Sequence, residues 1–426
     1  MKKFLLILFL AIFLGQGYVA VHASAPMTLR VGLLDRFNNR SSIVINNTAI
    51  IYHSHGESVL YQSSQGFTVR PYGGRYLALY DGSGRIRVSD SILIHDGSNT
   101  GMITLDGVVY RGGVDFMRLG GSGVTAVNVV SIEEYLFSVV PSEMPASWHP
   151  EALKAQAVAA RTFALHSLSR GSRHTGFDLC SLTCCQVYRG IEREHEATTQ
   201  AVLATAGLAI YFNGQLIEAV YSASSGGMTE NSENVWVEAR PYLRSVPDIH
   251  EFEPVIWARS FTLTELTNLL AQNNRAIGSA TGISIGSTHP SGRVESLIIH
   301  GTGGQVVLTR EEIRTFFASS AEGSLMSRNF TIGGGGQQPQ ASVAVFDGNQ
   351  IINIPLYGSY VITVSGITKY QGIQAPAPVL TGDIVITGRG FGHGVGMSQR
   401  GAEGMARRGY TFREILTHFY TGVTIN

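Results

Sequence analysis

The chain has 426 residues, with 31 basic and 31 acidic side chains, so its formal net charge is zero. A neutral chain lacks the bulk positive charge with which proteins bind nucleic acid or anionic lipid, and a hydrophobic content of 44% is too high for a disordered protein. The length allows two or three domains, and the 50 glycines favour a turn-rich β protein over a helical bundle.

The N-terminus has the pattern of an export signal. Lys2 and Lys3 precede an apolar run over 4–14, and small residues at 21–25 offer a cleavage site. The run is shorter than a membrane-spanning helix requires, although an uncleaved anchor extended through 15–20 is an alternative. We therefore predict a signal peptide over 1–25 and an exported, extracytoplasmic protein whose only membrane contact is this segment.

The segment that follows is predicted to form short strands separated by tight turns. Turn signals such as Asp81-Gly82 and Asp106-Gly107 divide it at short intervals. Strands are predicted at 29–34, 42–51, 67–69, 86–88, 101–105 and 125–130. This is a β-rich region.

Helical patterns begin after residue 130. The clearest starts at Pro150 with Glu151 in the first turn, and its many alanines imply close packing. Helices are predicted at 131–139, 150–169, 192–206, 263–273, 397–408 and 412–420. Strands are predicted between them at 209–212, 216–221, 294–299 and 304–308. A linker at 333–340 precedes three or four short strands over 342–373, which have the character of an insertion.

Glu143 is the first candidate for chemistry. Pro141 and Pro145 bracket it, which predicts a rigid connector between two helices because neither flank continues a helix easily. Apolar neighbours such as Val140 and Met144 would remove water from the carboxyl group and raise its pKa, as a general acid requires. A solvated loop glutamate is the alternative.

The three cysteines of the chain lie together. His174, Cys180, Cys184 and Cys185 offer one imidazole and two or three thiolates, a donor set that suits Zn²⁺ with a further ligand from water or elsewhere. A disulfide between Cys180 and Cys185, or free thiols, are the alternatives, because export favours oxidation.

Two small-residue segments are candidates for the wall of a cleft. The sequence Ser-Ser-Gly-Gly at 224–227 follows a predicted strand and offers either backbone donors or a plain polar turn. Glycines alternate through 388–396, which permits close backbone approach, and His393 there suits sugar or acid–base contact better than phosphate binding. A tight glycine-rich turn is the alternative for the second segment.

Taken together and in this order, these motifs closely resemble the stage II sporulation protein D (SpoIID/LytB) family. The segments that carry the resemblance are 134–145 (EYLFSVVPSEMP), 152–162 (ALKAQAVAART), 185–188 (CQVY), 224–227 (SSGG) and 390–399 (GFGHGVGMSQ). The resemblance covers 105–333 and 381–426, whereas 26–104 and 337–380 match weakly or not at all.

The resemblance implies a bacterial cell-wall enzyme, a lytic transglycosylase that cuts peptidoglycan glycan strands and leaves 1,6-anhydro-MurNAc ends. It implies a preference for strands from which an amidase has removed the stem peptides, and it makes Glu143 the catalytic acid. The residues of the matching motifs that are expected to bind the glycan are Ser142, Gln156, Arg161, Tyr188, Ser224, Ser225, Gly226, Gly227, His393, Ser398 and Gln399.

Two further properties follow from the resemblance. Some relatives carry zinc at the positions that match His174, Cys180 and Cys185, whereas Cys184 stands where many relatives have another residue. Other relatives enhance a cell-wall N-acetylmuramoyl-L-alanine amidase without clear catalysis of their own. A non-catalytic amidase enhancer is therefore the alternative function, with the amidase as partner.

The predicted architecture is α+β, with a β-rich N-terminal region, a mixed catalytic core and a small β insertion before the last helices. The predicted divisions are a signal peptide at 1–25, the β-rich region at 26–104, the core at 105–333, the insertion at 334–380 and the returning core at 381–426. We expect Glu143, the 224–227 loop and His393 to meet in one cleft. Tyrosines outside the core, Tyr72 among them, either stack on sugars or lie half-buried in sheets, and the second reading is the more common.

Overall fold

The computed structural model describes residues 27–54, 56–333 and 384–426 in full, and within 334–383 it describes the backbone of four strands. The predicted signal peptide and the linker from residue 334 lie outside the described residues. Among the described residues, no helix has both the length and the apolar character needed to cross a bilayer.

The N-terminal half is a β-sandwich of a seven-stranded and a six-stranded sheet. Its strands are β1 (Thr28–Gly32), β2 (Ile43–Ile45), β3 (Ala49–Ser54), β4 (Glu57–Gln62), β5 (Phe67–Tyr72), β6 (Tyr76–Asp81), β7 (Gly84–Ser89), β8 (Ile92–Asp96), β9 (Met102–Leu105), β10 (Val108–Arg111), β11 (Gly113–Met117), β12 (Thr125–Ser131) and, later in the chain, β13 (Leu179–Cys180). The strand order is β13-β1-β12-β11-β8-β3-β4 in one sheet and β10-β9-β2-β5-β6-β7 in the other.

Helices α1 (Ile132–Glu143) and α2 (Pro150–Arg170) share the core of this sandwich. Tyr135, Leu136 and Ala160 are fully buried in one cluster with strand residues such as Val31. The predicted division at residue 104 therefore runs through both sheets. In the seven-stranded sheet β11 and β12 pair with strands from the first 100 residues, and in the six-stranded sheet β9 and β10 join β2. Hydrophobic alternation indicates strands but does not indicate their partners, so the sequence could not reveal this.

The remaining elements build two further cores. They are α3 (Glu196–Ala204), β14 (Ile210–Phe212), β15 (Gln215–Leu216), β16 (Tyr221–Ser222), β17 (Ile256–Phe261), α4 (Leu263–Gln272), β18 (Ala280–Thr288), β19 (Val294–Gly301), β20 (Gly304–Thr309), α5 (Glu312–Thr315), β21 (Phe330–Gly333), β22 (Ser342–Phe346), β23 (Ile351–Pro355), β24 (Tyr360–Thr363), β25 (Gly366–Lys369), β26 (Ile384–Arg389), β27 (Met397–Ser398), α6 (Gln399–Ala406), α7 (Phe412–Phe419) and β28 (Thr424–Ile425). The α+β prediction is confirmed.

The second core joins α2 to the C-terminus. Leu153 and Ala159 of α2 pack with Met405, Leu416 and other residues of α6 and α7. The third core is formed by α4, α5 and strands β17–β21 and β26. The chain that leaves this unit at β21 returns to it as β26, which pairs with both β17 and β21.

Two strand pairings then place the residues of the site. β27 runs parallel to β16, with Tyr221 opposite Met397 and Ser222 opposite Ser398. The glycine-rich segment just before β27 is thereby held beside the segment 220–226.

Several predicted boundaries are wrong in an instructive way. The strand predicted at 42–51 is two strands, β2 and β3, that lie in different sheets, and the one at 216–221 ends in two short strands, β15 and β16. The helix predicted at 192–206 begins only at Glu196, after a 3₁₀ turn at Gly190–Arg193. Four strands lie within the predicted insertion, paired as two hairpins.

Candidate functional site

A cleft of about 700 Å³ opens between the end of α1, the loop after β13 and the glycine-rich segment before β27. Its polar and aromatic side chains are Glu143, Phe163, Arg173, Thr183, Cys184, Cys185, Glu218, Tyr221, Ser222, Trp236, Glu238, Arg240, Phe391, His393 and Gln399. The cleft lies where the first two cores meet, because Phe163 and Tyr221 of its wall pack against both of them.

Glu143 is the last residue of α1, not part of a connector as predicted. The helix continues through Pro141, whose missing N–H costs one hydrogen bond in the final turn, and Ser142 Oγ donates to Ser138 O at 2.7 Å. Pro145 does act as a stop, because Met144 before it is extended (φ −127°, ψ 141°). The carboxylate thus projects from a helix C-terminus, where the helix dipole disfavours negative charge.

Three donors hold the half-buried Glu143 carboxylate. The Val187 N–H donates to Oε1 at 3.1 Å, and the side chains of Tyr221 and Gln399 donate as well. Removal from water nevertheless dominates, so the pKa of Glu143 lies above its ordinary value. The raised pKa agrees with the expectation from its apolar neighbours, and it suits a group that must carry a proton to a substrate.

Gln186 organises this arrangement from below. Its fully buried amide donates to Tyr221 Oη at 2.9 Å and to Ala160 O at 3.3 Å, and it accepts from Tyr135 Oη at 3.2 Å. With its lone pair occupied by Gln186, the Tyr221 hydroxyl is free to donate to Glu143. The CQVY motif drew attention to this segment, but the sequence did not indicate Tyr221, which lies 78 residues beyond Glu143.

His393 is neutral at physiological pH. The Val395 N–H donates to its Nδ1 at 3.0 Å, and the ring also bonds to the backbone of Tyr221. Burial and nearby arginines, including Arg293, lower the pKa of His393 to about 3. The ring therefore shapes the cleft beside Trp236, with ring centroids 5.1 Å apart, and does not serve as a proton donor at neutral pH.

Alternate glycines let the segment before β27 press against its neighbours. Gly394 and Gly396 have φ values of +77° and +73°. A Cβ on Gly396 would lie 2.1 Å from Val220 O, and one on Gly394 would lie 2.1 Å from Arg293 Nη2. Val395, between these two glycines, is fully buried, whereas Phe391, between Gly390 and Gly392, is 46% exposed in the cleft.

The 224–227 loop lies behind the cleft wall, contrary to the expectation that it would line the cleft. Ser224 and Ser225 are fully buried, and it is Ser222 and Ala223 that reach the cleft surface. Ser224 Oγ donates to Glu251 Oε1 at 2.5 Å, and the Gly227 N–H donates to Oε2 at 3.0 Å. The loop's donors are therefore occupied within the protein.

Buried charges complete this layer behind the wall. Asp248 Oδ2 accepts from Ser225 Oγ at 2.7 Å, and burial with the nearby Glu251 raises the pKa of Asp248 to about 7. Arg293 is fully buried and donates to Ser225 O at 2.6 Å and to Met228 O at 2.7 Å. Burial lowers the pKa of Arg293 to about 10.

Most of the other predicted glycan contacts also belong to the interior. Arg161 is fully buried and forms a two-pronged ion pair with Glu133 (2.9 and 2.6 Å). Tyr188 is buried and donates to Asn128 Oδ1 at 2.7 Å. Gln156 is fully buried and accepts from Gln399 Nε2 at 3.3 Å.

Ser398 has a structural position as well. It caps the N-terminus of α6, where its Oγ accepts from the Gly401 N–H at 3.1 Å, and it also accepts from the Ser225 N–H at 3.3 Å. Of the predicted glycan-binding residues, His393 and Gln399 line the cleft with Glu143, and Ser142 is half-buried beside it. The glycan contacts themselves stay predictions.

The three cysteines are free thiols that meet His174 at the rim of the cleft. Cys180 Sγ lies 2.9 Å from Cys184 Sγ, and His174 Nε2 lies 3.3 Å from Cys185 Sγ. All four ligand atoms lie within 4.8 Å of one another. Tetrahedral Zn²⁺ with these donors would hold them roughly 3.5–3.8 Å apart, so the set fits the metal, and Cys184 belongs to it.

Two aromatic residues of the cleft, Trp236 and Phe391, were not predicted from the sequence as site residues. Trp236 is 37% exposed and Phe391 is 46% exposed, and both line the cleft. Together with the exposed Val237 they form a group of apolar side chains in one cleft, and such grouped apolar surface is typical of ligand-binding grooves. The sequence offered one indication for Phe391, which is an aromatic residue flanked by Gly390 and Gly392 in the glycine-rich segment.

The other acids of the cleft are neutralised by arginines. Glu218 pairs with Arg173 at 2.9 Å and with Arg240 at 3.6 Å, and Glu238 pairs with Arg240 at 2.7 Å. Among the described residues of the wall, Glu143 is therefore the carboxylate without a cationic partner.

Comparisons with known proteins point to one family. The sequence profile described as "Stage II sporulation protein" matches residues 120–212, which include α1, α2 and the cysteine cluster. Stage II sporulation protein D of Bacillus subtilis is 30% identical over 321 residues, which is 71% of this chain and 76% of that protein. An uncharacterized protein of Brachyspira hyodysenteriae is 31% identical over 76% of this chain and 73% of its own length. The amidase enhancer of Bacillus subtilis is 31% identical over 77% of this chain, although the match spans only 45% of that longer protein.

Proposed function

The chain belongs to the stage II sporulation protein D family, and on that premise we propose that it is a lytic transglycosylase that cuts peptide-stripped glycan strands of the bacterial cell wall. Family membership supports a cell-wall-related function. The observation that carries the cleavage reaction is the half-buried Glu143 carboxylate, which has a raised pKa and no cationic partner in a cleft of about 700 Å³.

A single carboxyl group suffices for this reaction. Hydrolytic glycosidases pair an acid with a second carboxylate, which acts as base or nucleophile. Here Glu143 donates its proton to the glycosidic oxygen as the bond from the muramic C1 breaks. The C6 hydroxyl of the same sugar then attacks C1 and returns its proton to Glu143. Intramolecular attack replaces the second carboxylate because the nucleophile is already in place.

The rest of the wall positions the acid and the sugar. Tyr221 and Gln399 orient the carboxylate, and the neutral His393 holds Trp236 beside the cleft. Trp236 and Phe391 are partly exposed in the cleft, where pyranose rings can pack on them. In this scheme the buried serines of the 224–227 loop support the wall from behind.

The decisive experiment uses purified protein and peptide-stripped glycan strands, without added amidase. Mass spectrometry should detect 1,6-anhydro-muramic ends with the wild-type chain, and the Glu143→Gln variant should produce none because it has no proton to donate. Glu238→Gln is the matched control, since Glu238 lies in the same cleft with a cationic partner, and it should retain most of the activity. Full activity of a folded Glu143→Gln variant would contradict the proposal.

A second candidate function is suggested by one relative. The Bacillus subtilis amidase enhancer shares 31% identity with the chain, so a non-catalytic role in stimulating a cell-wall amidase is the alternative. Stimulation of an amidase by Glu143→Gln to the same extent as by the wild-type chain, with no anhydro ends from either, would favour it.

We propose Zn²⁺ as a structural component at the rim. His174, Cys180, Cys184 and Cys185 would hold it, and the bound ion would cross-link the loop after α2 to the segment that donates to Glu143. Metal analysis of the reduced protein should find one zinc per chain, with thiols that react with an alkylating reagent only after chelation. Thiols that react freely in the metal-saturated protein would exclude this.

We further propose that the chain acts outside the cytoplasmic membrane. Lys2, Lys3 and the apolar run at 4–14 support export, and the proposed substrate lies there.

A further inference from the structure

One face of the N-terminal sandwich carries arginines and tyrosines side by side. In β5, β6 and β7, residues such as Val69, Leu77 and Leu79 point inward and are fully buried. The outward positions of these strands and of the β5–β6 turn form a surface that we call the Arg–Tyr face. Its members are Arg70, Tyr72, Arg75, Tyr76, Tyr80 and Arg85.

Each arginine of this face stacks on a tyrosine. The guanidinium carbon lies 4.4 Å from the ring centroid in the pair Arg85–Tyr72, 5.1 Å in Arg75–Tyr76 and 5.6 Å in Arg70–Tyr80. Cation–π pairs occur about once per 70–80 residues in proteins, so three such pairs within strands β5 to β7 are more than this average frequency predicts. The tyrosines remain accessible, since Tyr72 is 39% exposed and Tyr76 is 41% exposed.

Stacking prepares the arginines for an anion. A cation–π contact uses the flat face of the guanidinium group and leaves its N–H edge for a two-pronged contact with a carboxylate or phosphate. Because the side chain is already ordered against a ring, less conformational entropy is lost when the anion binds.

The positive charge of the face is only partly neutralised. Arg75 pairs with Asp90 at 2.8 Å, whereas neither Arg70 nor Arg85 has a carboxylate within 4.0 Å among the described residues. The nearby Asp81 carboxylate is turned into its own turn, where it accepts from Ser83 N and Oγ.

The spacing of the free arginines constrains the ligand. β5 and β7 flank β6, so Arg70 and Arg85 lie on strands about 10 Å apart, with Tyr80 on the strand between them. A ligand that contacts both arginines carries repeated anionic groups with a ring or chain between them. The tyrosine rings favour a polymer of pyranose rings over an open-chain polyol phosphate, because pyranose rings pack on aromatic faces.

We infer that the Arg–Tyr face binds peptide-stripped glycan strands through the lactyl carboxylates of their muramic acid residues. Hydrolysis of the amide that joins the stem peptide leaves one such carboxylate beside each muramic ring, within reach of a guanidinium stacked next to the sugar. The inference rests on the proposed function and adds to it a second binding surface, none of whose residues lines the cleft, that selects stripped strands by charge.

The test measures binding with the full-length Glu143→Gln chain, so that strands stay uncut. Adding Arg70→Gln and Arg85→Gln should weaken co-sedimentation with peptide-stripped strands at least tenfold at low salt and reduce its salt dependence. Binding to chitin, which has no carboxylates, should not change. Arg193→Gln with Arg310→Gln removes two exposed arginines elsewhere and serves as the matched control.

Two further measurements separate the possible failures. In the chain with Glu143 intact, the Arg70/Arg85 double variant should cleave a short soluble tetrasaccharide as fast as wild type, because the cleft is untouched. Replacing both arginines by lysine keeps the charge but loses the fork, and should restore only part of the binding.

Three outcomes would overturn the inference. They are stripped-strand binding within twofold of the control variant, an equal loss for chitin, or a loss confined to poly(glycerol phosphate) used as a competing probe. Loss of all cleavage by the wild-type chain would instead remove the proposed function, and the binding assay would still report on the face.

Discussion

The front of the cleft and the layer behind it are built from the same sequence motifs but have opposite chemistry. At the front, Tyr221 and Gln399 donate to the Glu143 carboxylate, which lines the cleft. Behind them, the donors of the 224–227 loop are satisfied by Glu251 and other buried groups. A sequence motif therefore contributes residues both to the cleft surface and to the buried layer behind it, and only the residues at the cleft surface can contact a substrate.

The two layers also differ in how their charges are held. The Glu143 carboxylate faces the cleft and has no cationic partner among the described residues, whereas Asp248 and Arg293 lie in a buried polar layer fixed by hydrogen bonds. A change behind the wall should therefore reduce folding stability first, and a change at the front should reduce activity first.

The largest effect is expected where the two layers touch. Gly396→Ala places a Cβ 2.1 Å from Val220 O at a φ of +73°, so backbone has to move against backbone. The free energy of unfolding should fall by more than about 3 kcal/mol, measured by urea denaturation.

The matched control is Gly409→Ala, which has a φ of +90° and open space around the new Cβ. It should lose only about 1 kcal/mol, the cost of the left-handed conformation. Similar losses of stability in the two variants would show that both glycines are needed only for their left-handed backbone conformation. The close contact between Gly396 and Val220 would then contribute nothing further to stability.

Individual residues show how far the sequence could predict this site. Glu143 was identifiable because its prolines and apolar neighbours are local in the chain, and the raised pKa follows from that setting. The orientation of the 224–227 loop could not be predicted, because it depends on the contact with Glu251 and on the pairing of β16 with β27. That pairing joins Ser222 to Ser398, which are far apart in sequence. Serine and glycine suit a cleft surface and a buried turn equally well.

The fold shows the same limit. Pattern and composition located α2 to within a residue, because helical periodicity is a local property. They placed a boundary at residue 104 because strand partners are set by contacts that the alternation of residues does not encode.

A smaller effect behind the wall should appear in the pH dependence of stability. The pKa of Asp248 is raised to about 7, so the folded chain binds more protons than the unfolded chain between about pH 4 and pH 7. Stability should therefore fall as the pH rises through this window, by on the order of 2 kcal/mol between pH 5 and pH 7.

Asp248→Asn should flatten this dependence, as followed by thermal unfolding at several pH values. Asp90→Asn is the control, because Asp90 is an exposed partner of Arg75, and it should leave the slope unchanged. A slope that persists in Asp248→Asn would assign the pH dependence to other groups.

The smallest expected effect separates the layers most sharply, because it concerns one hydroxyl group at the front. The Tyr221 hydroxyl donates to Glu143 and accepts from Gln186, and this contact lowers the pKa of Glu143 against the larger effect of burial. Tyr221→Phe should reduce kcat about tenfold, since the acid loses a positioning contact worth roughly 1.4 kcal/mol. It should also move the alkaline limb of the pH–rate profile to higher pH, because Glu143 then keeps its proton at higher pH.

Tyr420→Phe is the matched control: its buried hydroxyl donates to Val220 O at 2.9 Å, so the change should cost stability without moving the profile. A pH–rate profile that is the same in both variants would mean that the Tyr221 hydroxyl has only a structural role, like that of Tyr420, and does not set the pKa of Glu143.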